Sequence, residues 1–471
     1  MCAHGPFVSL CPFWVAVLWV AAPGCNEPSP VRTEASETPP ADPLEGLAPW
    51  SDAWVLAHAP RYLEDDAARR SGLEAALENP ENLYSRARLG AYGHVERGWD
   101  ALPEWSPPTA PMTAARAAAF ERGERPTLDG LAPIGARRAP KRWEDWRALG
   151  ERVFFELPLR SEPFWEVALR DPARGEALGV ERAPDGSVPG LVVMRDVDGR
   201  AAVGITCALC HTARQDVGGV PTLVAGRARR RLDYGRVRLA YYEARGAPID
   251  PVSLRRWRSW GPGRADVLED VADVPIAIPD LWGLRHERRL AQAGTLRHDS
   301  PLALFIRQET QYIQANHHHT RPPRVLMVAL SVYLYSLDPP PARASAATPA
   351  RLARGAELFG TERCARCHEN EALAGDRVVE IGQIATDPEL ATGGARGTGG
   401  YRPSPLLRVA DAAPYLHHGA VPTLEALFGT DRLEPTYTGG PDGPGPVPGH
   451  EFGVSLDDAD CAALLAHLET L

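Results

Sequence analysis

Apolar residues return at three- and four-residue intervals from Trp50 through YLEDDAARRSGLEAALENPENLYSRARLGAYG, a pattern that predicts helices. A Pro-rich stretch, LPEWSPPTAPM, interrupts it. Helical spacing resumes in WEDWRALGERVFFELPLR, whereas GLVVMRDVDGRAAVGI alternates around an Asp-Gly turn and predicts a β-hairpin. RVLMVALSVYLYSL predicts a strongly apolar helix that stops at DPPPARASAATPA, the clearest linker in the chain, so a domain boundary is expected near residue 340. A last helical pattern, LDDADCAALLAHLETL, closes the sequence.

The order of these patterns recurs. A helix with Gly followed by paired bulky apolar residues, LGERVFFE or ARGAELFG, precedes a C-x-x-C-H motif, and an apolar helix, VALSVYLYSL or CAALLAHLETL, follows it. Identity between the copies is weak, and the first copy is much expanded.

Composition adds a leader and a tether. The run FVSLCPFWVAVLWVAA ends in PGC, and Cys25 is followed by NEPSP, which resembles a bacterial lipoprotein signal in which the cysteine is lipidated. Residues 1–25 are expected to export the chain, and residues 26–48, rich in Pro, Glu, Ser and Thr, to tether the folded body to a membrane through that lipid alone. The basic residues are almost all arginine, with Lys141 the only lysine, as GC-rich coding would produce, so they are not read as a nucleic-acid surface, and the net charge of -10 opposes one.

Once Cys2, Cys11 and Cys25 are set aside with the leader, four of the remaining cysteines form two pairs, and Cys461 is left over as a buried inert thiol in the last helix. GITCALCHTA holds Cys207, Cys210 and His211; ERCARCHEN holds Cys364, Cys367 and His368. From eight Cys and 14 His in 471 positions, about 0.004 accidental C-x-x-C-H matches are expected. A four-thiolate zinc site would need pairs more than about 150 residues apart to converge, against the usual ~15–20, and a thioredoxin-like pair would need a βαβ pattern nearby. Covalent attachment of haem c fits both motifs: two thiols about a turn apart add to two haem vinyl groups, and the following histidine ligates the iron. Two covalently attached haems are therefore expected, with His211 and His368 as iron ligands.

GYRPSPLLRVADAAPYLHHGAVPTLEALF and VPGHEFGVSLDDADCAALLAHLETL resemble segments of the bacterial di-haem cytochromes c of the cytochrome c peroxidase superfamily, closest to the branch that includes the rubber oxygenases; LGERVFFELPLR and WGPGRADV resemble its first half. The resemblance runs from about residue 140 to the end. It implies a mainly α fold of two cytochrome c-like domains, the first enlarged by a β-hairpin and extra helices. The expected divisions are an N-terminal helical extension at 49–139, a first haem domain at 140–338, a Pro/Ala linker at 339–349 and a second haem domain at 350–471.

The best-known peroxidases of that superfamily place a methionine on the second haem, but the matching position here is Asp431 and the last methionine in the chain is Met327. Downstream of the second motif the remaining imidazoles are His417, His418, His450 and His467; the resemblance of GHEFG makes His450 the expected distal ligand, giving a bis-histidine haem of lower potential. For the first haem the distal side stays open among His286, His298, Glu309 and His317 to His319. Glu309 and His298 are weak catalytic candidates, and Trp260 is a candidate electron relay set against a packing role.

Two functions follow as expectations. One is an exported, periplasmic oxidoreductase that reduces hydrogen peroxide or activates dioxygen at one haem, with electron transfer through the other to or from a redox protein. The alternative is a non-catalytic electron carrier in which both irons are six-coordinate.

Overall fold

Asp196, at the start of the Asp-Val-Asp-Gly turn, accepts hydrogen bonds at Oδ1 from the amides of Asp198 (3.0 Å) and Arg200 (2.7 Å), and this closes the hairpin Leu191–Arg195 with Ala201–Ile205. The computed structural model describes residues 43–93, 98–135, 138–266, 274–317, 319–342, 345–440 and 443–471. Cys2, Cys11, Cys25 and His318 lie outside them. The strand Thr109–Pro111, in the Pro-rich stretch, pairs with Leu191–Arg195, and Arg160–Ser161 with Ala201–Ile205, making a four-stranded antiparallel sheet. A second hairpin, Thr212–Val217 with Val220–Ala225, follows the first C-x-x-C-H motif directly. Its two-residue loop is Gly218-Gly219, both at positive φ (63° and 86°), as a turn matched to strand twist requires.

These sheets correct the mainly α expectation. The chain is mixed, 42% helix and 11% strand, with small sheets gathered largely around the first motif. The helix Arg324–Tyr335 has eleven of its twelve residues buried, which explains why its sequence is apolar all round. Between Tyr335 and Pro349 the described residues carry no helix or strand. Residues Gly46–Leu471 make one compact unit. The N-terminal helices are part of its core: Val55, Tyr62 and Leu73 share a cluster with Phe305, Ile306 and the Arg324–Tyr335 helix.

The repeat has a geometric counterpart. Helix Trp143–Glu156 crosses Arg324–Tyr335 so closely that a Cβ on Gly150 would lie 1.9 Å from the Ala329 carbonyl oxygen and 2.7 Å from Tyr333 Cβ. Helix Pro349–Thr361 crosses Asp458–Leu468 in the same way, a Cβ on Gly355 falling 2.1 Å from the Ala463 carbonyl oxygen and 2.7 Å from His467 Cβ. In each pair the second contact is four residues, one helical turn, beyond the first. The glycines permit backbone contact, and the bulky residues three and four positions later, Val153 and Phe154 or Leu358 and Phe359, fill the core beside it.

Gly150→Ala is expected to force these helices apart and cost about 1–3 kcal/mol or more. Urea unfolding of the variant should show a lower midpoint with the slope retained; an unchanged midpoint would mean that the crossing has slack.

Candidate functional site

Each C-x-x-C-H motif forms a single helical turn. The His211 amide donates to Cys207 O (3.2 Å), and the His368 amide to Cys364 O (3.0 Å), so in each motif both cysteines and the histidine lie along one side of the turn. The strand Ala201–Ile205 delivers the first motif, and the helix Pro349–Thr361 the second. In both, Nδ1–H of the imidazole donates to a backbone carbonyl: His211 to Pro279 O at 3.0 Å, His368 to Leu373 O at 2.9 Å. That bond fixes the tautomer and leaves the Nε2 lone pair for a metal. Burial pushes the His211 imidazole down to about 4 and that of His368 below its ordinary value, which keeps both in the neutral, ligating form.

Burial drives the thiols the other way, Cys207 up to about 11, Cys210 to about 12 and Cys364 to about 11. A redox-active pair needs a depressed thiol pKa, so the environment is wrong for one. Nor do the pairs meet as a zinc site: among the described residues no three His, Cys, Asp or Glu side chains converge as a metal cage. What remains is a pair of neutral thiols beside a carbonyl-held imidazole, twice.

A cavity of ≈ 250 Å³ opens over the second motif, bounded by Cys364, Cys367 and His368 and by the apolar side chains of Phe359, Leu406, Leu427 and Phe428. His450 faces His368 across it with ring centroids 6.4 Å apart. Two imidazole nitrogens each about 2 Å from one ion leave their centroids roughly 6 Å apart, so His368 and His450 are spaced as two residues that would hold one metal ion between them. His450 Nδ1 is buried without a hydrogen-bond partner, so its ring, unlike those of His211 and His368, is placed by its loop and not by a carbonyl. The residue is held at φ 51°, a left-handed conformation that an L-residue adopts at a cost of about 1–2 kcal/mol. Buried Arg432 clamps its loop, donating to Leu427 O (3.0 Å), Val447 O (2.6 Å) and His450 O (3.2 Å). The apolar pocket, the two thiols at its edge and the facing imidazoles fit a covalently attached haem.

The other downstream histidines are engaged elsewhere. His417 stacks on Tyr401 (4.1 Å) and donates from Nε2 to the Tyr401 hydroxyl (3.0 Å), which in turn donates to Asp387 O (2.8 Å). His418 Nδ1 accepts from the Ala420 amide, and His467 packs edge-on against Phe359 in the helix crossing.

Of the candidates expected for the distal side of the first haem, Glu309 and His298 are committed to other partners. Fully buried Glu309 accepts from the Tyr62 hydroxyl (2.9 Å) and from Arg324 Nε (3.1 Å), which makes it an internal ion pair instead of an exposed acid. His298 donates from Nδ1 to Glu287 O (2.7 Å) and accepts at Nε2 from the Tyr335 hydroxyl (2.6 Å), so neither nitrogen is open to iron. His286 lies 3.3 Å from the Glu371 carboxylate. His317 and His319 are exposed at the end of the helix Pro301–Ala315. Trp260 packs on Tyr234 and Arg238 away from the cavity; it is Trp282, which sequence reasoning passed over, that lines the cavity wall and donates to Ala225 O (3.1 Å), next to the Gly226 amide that bonds His211 O (2.8 Å). Tyr312 is the side chain placed beside the Cys207 thiol.

No protein-family profile matches the chain, and no curated protein does. Among solved structures, one described as a MauG-like protein associated with microbial copper homeostasis aligns at 22% identity with a TM-score of 0.23, covering 31% of this chain and 56% of that one. The chain thus spans little more than half the length of that protein, and a likeness so distant assigns no family.

Two outcomes are expected. His450→Ala should convert one low-spin haem signal to high-spin in the visible spectrum, and an unchanged spectrum would remove His450 from the ligands. Burial holds the His298 imidazole down to about 3, so the unfolded chain takes up its proton first; stability is full above pH 6.5 and falls as the pH drops toward 3, by on the order of 4 kcal/mol across that window. Urea titrations between pH 7 and 4 should show a shallower loss for His298→Gln than for the parent chain.

Proposed function

We propose that this protein is an exported c-type cytochrome with two covalently attached haems, working as an oxidoreductase that reduces hydrogen peroxide or activates dioxygen at the first haem and moves electrons through the second. The observation that carries this is an asymmetry between two like motifs. Both present two thiols and an imidazole held by a backbone carbonyl, but among the described residues only the second is faced by a further imidazole, His450.

A haem ligated on both faces exchanges electrons, whereas one with an open face also binds a small oxygen ligand. Cys207 and Cys210 would hold the first haem and Cys364 and Cys367 the second, with His211 and His368 as proximal ligands and His450 as the distal ligand of the second. Phe359, Leu427 and Phe428 give the second site an apolar lining, which would limit solvent rearrangement when an electron moves there. The ion-paired state of Glu309 and the doubly bonded state of His298 leave the first iron without either as a sixth ligand.

The partner is a redox protein that supplies or removes electrons. The site of action is the periplasm, with membrane attachment through lipid on Cys25; among the described residues no helix is long and apolar enough to cross a membrane. The alternative, a carrier with both irons six-coordinate, requires a distal ligand on the first haem, a role for which Glu309 and His298 are already engaged.

Carbon monoxide titration of the reduced protein separates the two. Binding of one equivalent per chain, together with rapid reoxidation by hydrogen peroxide, is expected; no binding at either iron would establish the carrier.

A further inference from the structure

The segment Ala277–Trp282 belongs to both sites. Its Pro279 carbonyl accepts the hydrogen bond from His211 Nδ1–H, while Ile278, Pro279, Asp280 and Trp282 form a wall of the cavity that holds His368 and His450. At one end the Ala277 amide donates to His417 O (2.9 Å), and at the other the Leu281 amide donates to Gly226 O (2.7 Å), whose own amide bonds His211 O. The peptide that carries the Pro279 carbonyl continues into Asp280, and Asp280 is the most heavily bonded side chain in the segment. Its carboxylate takes a two-pronged ion pair from Arg230 (3.0 Å and 2.6 Å) and the Ala228 amide (2.7 Å), with both side chains about 15% exposed. Arg230 Nε then reaches Ala412 O (3.0 Å), beyond the second motif in the chain and also on the cavity wall.

We infer that the Arg230–Asp280 pair is a positioning strut: it fixes the orientation of the Pro279 carbonyl, and through that hydrogen bond sets the basicity of His211 as an iron ligand, tying the first site to the wall of the second. A carbonyl that accepts strongly from Nδ1–H makes the imidazole a better donor to iron and favours the oxidised metal. A bidentate guanidinium–carboxylate pair has the fixed geometry such a role needs. This inference rests on the di-haem reading above.

The test compares Asp280→Asn with the double variant Asp280→Asn/Arg230→Gln. The single variant leaves an unpaired cation on the cavity wall and should raise the midpoint potentials of both haems. The double variant removes both charges together, so net charge is unchanged while the strut and the Arg230–Ala412 bond are lost. It should still raise the potential of the first haem, by more than that of the second, and alter the first haem's paramagnetic resonance signal. Equal shifts at both haems, or no shift at either, would overturn the inference. Arg230→Lys, which keeps the charge and loses the two-pronged geometry, should reproduce the first-haem shift if the double variant does not fold. Intact mass is read on every sample: absence of two haems from the parent chain would refute the di-haem reading itself, whereas two haems with no first-haem shift would refute the strut alone.

Discussion

The hydrogen bonds from Nδ1 of His211 and His368 to backbone carbonyls fix the proton on Nδ1 and orient the ring, leaving the Nε2 lone pair for a metal in both halves of the chain. Much of the local structure serves those two bonds. The single-turn motifs place the rings, the close glycine crossings behind them keep the flanking helices at backbone contact, and the carbonyls come from segments, Pro279 and Leu373, that fold back over the turns. Rings held this way are neutral, oriented and ready to ligate without further rearrangement.

The halves then diverge in what faces the imidazole. At the second motif a costly left-handed residue and a buried arginine clamp bring His450 to 6.4 Å from His368. The side chains expected on the distal side of the first motif satisfy one another instead: Glu309 with Tyr62 and Arg324, His298 with Glu287 and Tyr335. One motif is thus faced by a second imidazole, while the candidates expected for the other are in structural service. The Ala277–Trp282 segment joins the two, bonding to the ring of one and walling the cavity of the other.

The parts of this arrangement that were legible in the sequence are those written in short-range patterns. The Asp-Gly hairpin, the apolar helix at Arg324–Tyr335 and the two C-x-x-C-H turns each carry their own local signal. The Gly218-Gly219 loop was an equally local hairpin signal that went unused. The strand Thr109–Pro111 was hidden because a Pro-rich segment reads as a breaker until its partner, Leu191–Arg195, is known. His450 was expected through a resemblance, but what holds its loop, Arg432 bonding three carbonyls, has no sequence period at all. Trp282 and Trp260 look alike in sequence; only the tertiary fold puts one on the cavity wall and the other against Tyr234. The ion pair that removes Glu309 from chemistry joins Tyr62 and Arg324 to it across long sequence separations, which no local reading recovers.

The central claim is that both C-x-x-C-H turns carry covalent haem, and the most direct measurement is the intact mass of the protein purified from a host that matures c-type cytochromes. The account predicts the polypeptide plus two haem groups, falling to one when Cys207 and Cys210, or Cys364 and Cys367, are replaced by alanine. A parent mass equal to the bare polypeptide would contradict it.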